Sequence, residues 1–243
     1  MKKILLLIPL FCLLASPVLA ATPTHDASSN SGAKTNESST SAYTHTAGTL
    51  TSGVAIIRVS SQDSTPGTIS GVTYNGAAAT QIGSSACFST SSRSCISLWY
   101  YKNPPSGASA VVATFSEVMN AHIVNVSTYS NVNQASPIGT ANSATDFDIV
   151  NPSEARVTIT SAVGELVVGL CAFATATGAA TAAAGSTDRG NVLLSTNTAH
   201  VGLEATGAAS VNIGCTLAES RNNGALGVSL KPSVGPSAPI FLE

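Results

Sequence analysis

The sequence predicts an all-β fold, either a sandwich or a barrel, and three observations lead to this prediction. Short segments rich in Val, Ile, Thr and Tyr recur at roughly 8–15-residue spacing, separated by Gly, Asn and Pro. Asn75-Gly76 stands between two such segments and is typical of a type I′ hairpin, because both central residues of that turn need positive φ. No segment shows the apolar period of an amphipathic helix.

The individual strands follow from local composition. Residues 54–59 are densely apolar, as expected of a strand covered on both faces. Residues 95–101 form a second strand, which ends at the Pro-containing turn 103–107. Two alternating segments flank Gly207 and predict a hairpin there. Further strands are expected at 110–115, 121–129, 156–160, 165–173, 200–204, 210–217 and 224–230, with a long loop at 131–151 and an ambiguous segment at 175–190.

The two ends of the chain differ from this pattern. Residues 1–20 carry Lys2 and Lys3, a short apolar run and a small-residue cleavage site, as in a secretory signal peptide. The run is too short to span a bilayer of about 30 Å, so we expect a secreted, extracellular or cell-surface protein without a membrane span. Residues 21–41 are Ser/Thr-rich and are expected to form a flexible arm or a loosely docked edge. Residues 42–232 are predicted to be one domain, and residues 233–243 a Pro-rich tail.

Four of the five cysteines remain after removal of the signal peptide, and an even number in a secreted chain indicates disulfides. Three pairings are possible. We favour Cys87–Cys95, which closes a short loop, together with Cys171–Cys215, which joins two predicted strands. The alternative for the second pair is two small buried residues without a bond.

Composition excludes some functions. Hydrophobic residues make up 44% of the chain and charged residues only 9%, with a net charge of -2 that includes the two lysines of the signal peptide. No stripe of Lys and Arg is present to neutralise phosphates, which argues against a nucleic-acid partner and against a basic membrane-binding surface.

Several segments also carry a family resemblance. They include GVTYNG at 71–76, LWYYKNPPSG at 98–107, NVNQASPIG at 131–139 and GVSLKP at 227–232, in this order. Over residues 26–232 the chain resembles a β-sandwich module of secreted bacterial surface proteins and phage-associated proteins. The resemblance implies an antiparallel, jelly-roll-like sandwich and an extracellular setting, and it brings no activity or catalytic residues. The four cysteines depart from the commoner cysteine-poor pattern.

Two aromatic residues are candidate ligand contacts. Strand alternation places Trp99 and Tyr101 on one face of their strand and Ile96, Leu98 and Tyr100 on the other, which should meet the core. Trp99 and Tyr101 would then form an exposed platform on which sugar rings can stack. The alternative is that both faces are covered and that Trp99 packs under the loop between Cys87 and Cys95.

A second candidate site is acidic. Asp146 and Asp148 in the predicted long loop offer oxygen ligands for calcium, although the spacing matches no EF-hand and a solvated loop is the alternative. His45, His122 and His200 are far apart in sequence, and no Gly-x-Ser-x-Gly motif accompanies them, so structural roles are expected.

These observations together predict a non-catalytic extracellular module for adhesion or carbohydrate binding, with a polysaccharide or cell-surface glycan as partner. The alternative is a structural subunit of an extracellular matrix or filament, which self-associates by adding its arm 21–41 to a neighbour's sheet edge. A secreted hydrolase is the third possibility, because paired carboxylates need no local motif.

Overall fold

The computed structural model describes residues 20–39, 42–63, 67–88, 93–146, 153–194 and 198–234. These residues form antiparallel strands and contain no helix, which confirms the predicted all-β fold. Nothing among them is a helix of the length and apolarity needed to cross a membrane. The signal peptide predicted at 1–20 and most of the predicted tail lie outside the described residues, apart from Ala20, Ser233 and Val234.

Strands of the first part of the chain run from residue 24 to residue 130. They are β1 (Thr24–Asn30), β2 (Glu37–Ser39), β3 (Tyr43–Ala47), β4 (Val54–Asp63), β5 (Ile69–Tyr74), β6 (Ala77–Ala78), β7 (Thr80–Phe88), β8 (Arg93–Lys102), β9 (Gly107–Met119) and β10 (Ala121–Ser130). Strands of the second part run from residue 142 to residue 230. They are β11 (Asn142–Asp146), β12 (Glu154–Thr160), β13 (Leu166–Ala174), β14 (Thr181–Ala182), β15 (Thr187–Leu194), β16 (Thr198–Thr206), β17 (Ser210–Thr216) and β18 (Asn223–Leu230).

These strands form four stacked sheets. The N-inner sheet has the order β1-β10-β4-β8-β7, and the C-inner sheet has the order β11-β18-β13-β16-β15. The N-outer sheet contains β2, β9, β5 and β6 with β3 also paired to β9, and the C-outer sheet is β12-β17-β14. One core fills the space between the two inner sheets, and one further core lies between each inner sheet and its outer sheet. The inner strands β4, β13 and β18 are therefore buried on both faces.

The two parts of the chain have the same topology. When the short strands β2 and β6 are set aside, each part has eight strands. The eight strands of each part can be counted along the chain. In both parts the neighbours across the inner sheet are then the first, eighth, third, sixth and fifth strands, and the neighbours across the outer sheet are the second, seventh and fourth strands. This is the connectivity of a jelly roll, in which two Greek keys share two sheets. The predicted jelly-roll-like sandwich therefore occurs twice, packed through the inner sheets, and local sequence patterns do not indicate this repeat. That residues 42–232 fold as one unit stays a prediction.

Residues 21–39, the described part of the segment predicted to be a flexible arm or a loosely docked edge, contain the strands β1 and β2, as in the docked-edge alternative. Strand β1 pairs with β10 from Thr24↔Ser130 to Asn30↔Asn125 and completes one edge of the N-inner sheet. Its side chains alternate between exposed and half-buried, as expected of an edge strand. The polar composition that suggested disorder is therefore the composition of an edge strand with one solvated face.

Of the two hairpins predicted from glycine positions, one is confirmed and one is wrong. Asn75 and Gly76 have φ values of 51° and 77° and connect β5 to β6. The hairpin at Gly207 does not form, because β16 lies in the C-inner sheet and β17 in the C-outer sheet. A Cβ atom at Gly207 would lie 2.5 Å from the carbonyl oxygens of Ala162 and Glu165, so the chain changes sheets through a gap that only glycine fits.

Both predicted disulfides are present. Cys87 and Cys95 are directly opposite each other on β7 and β8, so this bond lies within the N-inner sheet. Cys171 on β13 and Cys215 on β17 link the C-inner sheet to the C-outer sheet. The predicted long loop at 131–151 instead contains β11, which pairs with β18, and the ambiguous segment at 175–190 contains β14 and the start of β15.

Candidate functional site

Strand β8 has the two faces that alternation predicts, but both are covered. Leu98 lies in the core between the inner sheets, and Trp99 lies in the core beneath the N-outer sheet. Trp99 is only 7% exposed, and its Nε1 donates a hydrogen bond to Ser97 Oγ at 2.8 Å. The predicted exposed platform is therefore wrong for Trp99, because the N-outer sheet covers the face that a single solvated sheet would have left open.

Tyr101, the other predicted ligand contact, is half-buried at the end of the same strand. Its ring stacks on the buried ring of Tyr74, with centroids 5.2 Å apart and planes 17° apart. Tyr101 also lines an open groove of about 300 Å³, which we call the tyrosine groove. The groove is lined by Ala78, Thr80, Tyr100, Tyr101, Lys102 and Asn103.

The groove exists because the chain changes sheets beside it. Ala78 ends β6 in the N-outer sheet, and Thr80 begins β7 in the N-inner sheet. The ladder between β7 and β8 starts at Thr80↔Tyr100, so the last residues of β8 have no neighbour on that side. Asn103 ends β8 with a φ of 51° and donates its backbone N–H to the carbonyl of Gly53 at 2.9 Å. This bond fixes the backbone of Asn103, one of the residues that line the groove.

The groove lining offers binding groups and no acid–base pair. Tyr100 and Tyr101, which pack against different cores on opposite faces of β8, both line the groove, while Thr80, Lys102 and Asn103 offer a hydroxyl, an ammonium and an amide. Lys102 Nζ is held near the groove by a 3.3 Å hydrogen bond to the carbonyl of Gln134. No histidine, cysteine or carboxylate belongs to this lining. Such a surface can bind a ligand with apolar faces and polar edges.

The predicted calcium site cannot be placed in space. Asp148 lies outside the described residues, and for Asp146 only the backbone, in β11, is described. Within the described part of the chain, no group of three or more His, Cys, Asp and Glu side chains is arranged to hold a metal ion. Calcium binding by Asp146 and Asp148 stays a prediction.

The three predicted structural histidines are fully buried. His45 Nδ1 lies 2.7 Å from Ser29 Oγ, and His200 Nδ1 lies 2.6 Å from Ser60 Oγ. Burial, reinforced by the positive charge of Arg58, lowers the pKa of His200 to about 3. His200 and Ser60 have no exposed surface, so this pair cannot reach a substrate.

Sequence reasoning missed the buried arginine between the two jelly rolls. Arg58 is fully buried on β4, in the middle of a strand that reads as apolar. All five guanidinium N–H groups have acceptors. They are the carbonyls of Gly169 and Leu203 in the second jelly roll, and Asn125 Oδ1, Ser127 Oγ and Tyr129 Oη in the first. Because those acceptors lie far away in sequence, no local signal indicates this role.

Comparison with models of known protein families, with curated proteins and with solved structures gave no match. The resemblance to surface and phage-associated modules therefore stays an expectation. Any functional assignment depends on the geometry of the chain's own residues, and the tyrosine groove is the described feature whose lining best combines apolar and polar groups.

Proposed function

We propose that this protein is a secreted, non-catalytic extracellular module that binds carbohydrate through the tyrosine groove. The observation that carries the proposal is that two half-buried tyrosines, Tyr100 and Tyr101, line one open groove together with Lys102 and Asn103. Sugar rings present C–H faces that pack on aromatic rings, and their hydroxyls need hydrogen-bonding partners at the rim. The groove supplies both kinds of group within a volume of about 300 Å³.

The fold is compatible with an extracellular role. Two disulfides persist in oxidising compartments and are rare in the cytosol. The signal peptide predicted at residues 1–20 would deliver the chain to such a compartment. A scaffold of strands with two disulfide bonds also suits binding at a cell surface or in a matrix, because rigid elements hold a site more accurately than loops do.

The test is a binding screen of the protein after removal of residues 1–20. The probes are neutral and acidic oligosaccharides of about six units, with calcium and with chelator. We expect at least one probe to bind, and we expect Tyr101→Ala and Lys102→Ala each to weaken that binding at least tenfold. Tyr43→Ala is the matched control, because Tyr43 is also half-buried against the same core but lies outside the groove. Dependence on calcium would support the site predicted at Asp146 and Asp148.

Two outcomes would overturn the proposal. The first is that no probe binds to the folded protein. The second is that binding survives both groove substitutions. Self-assembly would then be the next hypothesis, although Thr24–Asn30 already completes the chain's own N-inner sheet and is not a free donor strand. Release of reducing sugar ends from any probe would instead identify a hydrolase.

A further inference from the structure

A second cleft lies where the two jelly rolls meet at one edge. It opens between β1 of the N-inner sheet and β15 of the C-inner sheet, and its volume is about 210 Å³. We call it the junction cleft. Its walls include His25, Ser28 and Asn30 from the first jelly roll and Asp188, Arg189 and Gly190 from the second. The two walls are about 160 residues apart in sequence and meet only because the jelly rolls stack.

Each wall of the junction cleft carries a β-bulge. The register of β1 shifts between His25 and Ala27, and the register of β15 shifts between Asp188 and Gly190. Bulges re-aim side chains and are frequent beside binding sites. On β1 the result is a 2.7 Å contact between His25 Nε2 and Ser28 Oγ, two side chains at the same wall.

The floor of the cleft is polar and fixed. Asn125 is fully buried, accepts a hydrogen bond from Arg58 Nη1 at 3.0 Å, and donates at 3.1 Å to the carbonyls of Ser29 and Arg189. A Cβ atom at Gly190 would collide with the Asn125 amide. Asn125 therefore ties the two walls together, and glycine at position 190 permits the close approach.

Two side chains of the wall formed by the second jelly roll, Arg189 and Asp188, keep polar atoms without a partner among the described residues. Glu204 accepts hydrogen bonds from Arg189 Nε at 2.9 Å and from Nη2 at 2.7 Å, which leaves Nη1 without a partner among the described residues. Asp188 Oδ1 accepts from the backbone N–H of Gly190 at 2.7 Å, and Oδ2 has no partner in the same part of the chain. The charge of Arg189 is balanced by Glu204, so the wall has no excess positive charge to attract an anion.

We infer that the junction cleft binds a single neutral sugar unit, as a subsite separate from the tyrosine groove. Each sugar hydroxyl both donates and accepts, so the hydroxyls of one sugar can pair with the Arg189 donor and with the Asp188 acceptor, two residues that line the same cleft. Drug-sized ligands occupy clefts of about 300–1,000 Å³, and a smaller cleft suits one sugar ring. The ligand class rests on the proposed function, whereas the location rests on the two bulges and the Asn125 floor.

The experiment uses the histidines as reporters. The chain has four, and His25 alone lines the cleft; His45 is buried behind the cleft-lining Ser29, with Nδ1 2.7 Å from Ser29 Oγ, whereas His122 and His200 are buried without a contact to the lining. The ring signals are followed by NMR while methyl glucoside, methyl galactoside and methyl N-acetylglucosaminide are added in turn. We expect at least one glycoside to shift the His25 signals saturably and to leave the signals of His122 and His200 unchanged. Asp188→Asn, which keeps an oxygen for the Gly190 N–H, should weaken this binding at least fivefold.

Two control variants separate this inference from the proposed function. Glu154→Gln removes a carboxylate from another strand of the second jelly roll and should have no effect. Tyr101→Ala should weaken oligosaccharide binding and leave the His25 shifts intact. Absence of any His25 shift, or an unchanged affinity in Asp188→Asn, overturns the junction subsite. If binding to the tyrosine groove persists in that case, the proposed function stands without it.

Discussion

The two jelly rolls share one topology but fill their cores differently. The core between the N-inner and N-outer sheets contains large side chains, among them Tyr74, Trp99, Phe115 and Met119. The core between the C-inner and C-outer sheets consists mainly of alanine, valine and other small aliphatic residues, with Phe173 as its single aromatic member among the described residues. Large side chains bury more apolar area per residue, so the first jelly roll gains more stabilisation from packing alone.

The position of the disulfides matches this difference. In the second jelly roll, glycines bring the sheets close together, since a Cβ at Gly227 would lie 2.8 Å from Ile213 Cδ1 and 2.9 Å from Ile159 Cδ1. The bond Cys171–Cys215 crosses this thin core, whereas Cys87–Cys95 stays within one sheet of the first jelly roll. The same fold is thus held by packing in one half and by a covalent cross-link between sheets in the other.

The interface between the two jelly rolls has an apolar side and a polar side. One side is an apolar core to which both inner sheets contribute, including Ile56, Leu98, Leu170 and Val228. The other side is the polar network around Arg58. An apolar core favours association of the sheets, whereas hydrogen bonds to named carbonyls fix their relative position. We therefore expect the polar side to determine the register of one jelly roll on the other.

Arg58→Ala should have the largest effect on stability. The substitution leaves buried acceptors of both jelly rolls without donors, among them the carbonyls of Gly169 and Leu203. We expect a loss of about 5 kcal/mol in the free energy of unfolding, comparable to the total stability of many domains. Urea unfolding followed by circular dichroism measures it. Arg156→Ala, at a partly exposed arginine paired with the exposed Glu154, is the control and should leave the midpoint nearly unchanged. A small loss for Arg58→Ala would contradict its role in the junction.

Removing the disulfides separately should test the comparison between the halves. The loop closed by Cys171–Cys215 has a sequence separation of 44, and the loop closed by Cys87–Cys95 has one of 8. Loop-closure entropy predicts a loss of about 4 kcal/mol for the double alanine variant of the first pair and about 2.6 kcal/mol for that of the second. Because the core of the second jelly roll is thin, the difference between the two losses of unfolding free energy should be larger than loop-closure entropy alone predicts.

The measurement is again urea unfolding, with the wild-type protein under reducing conditions as the reference for loss of both bonds. An equal loss in the two double variants, or a greater loss from removing Cys87–Cys95, would show that the second jelly roll does not depend on its cross-link.

Local chemistry explains which parts of this fold the sequence predicts. Asn75-Gly76 specifies its turn through two positive φ values, and the alternation along β8 correctly sorts Leu98 from Trp99. Both signals are contained within a few residues. Cysteine pairing was predictable for a related reason, since few combinations exist and only strands with matching positions can be bridged.

Features that depend on how the sheets pack on one another could not be predicted from the local sequence pattern. Trp99 was predicted to be exposed but is buried, because a second sheet covers it. Strand alternation does not show how many sheets stack on one another. Arg58 binds Gly169, and the junction cleft includes Arg189; both of these partners lie on strands that are distant in sequence. Only Tyr101 among the predicted ligand contacts reaches an open groove, because it lies where β8 extends past the start of β7.

The smallest expected effect concerns the acid stability of the first jelly roll. His122 lies within the first jelly roll, where its ring packs on Phe115 with centroids 4.6 Å apart and neither ring nitrogen has a hydrogen-bond partner among the described residues. Burial lowers the pKa of His122 to about 4, against the opposing charge of Glu37, whose carboxylate is 3.9 Å away. His122 therefore stays neutral in the folded protein under conditions in which the unfolded chain binds a proton.

Because the unfolded chain binds a proton that the folded protein does not bind, lowering the pH destabilises the folded protein. Stability is fully present above the unfolded pKa of about 6.5 and falls as the pH drops towards 4, by about 2 kcal/mol between pH 6.5 and pH 5. His122→Phe removes this contribution while keeping a flat ring beside Phe115. We expect the difference in unfolding free energy between pH 8 and pH 5 to shrink by about that amount relative to wild type. Each variant is compared with itself at two pH values, so a general change in stability cancels. An undiminished difference would show that His122 does not contribute, and would leave the acid sensitivity to the other two fully buried histidines, His45 and His200, whose pKa values are also lowered by burial.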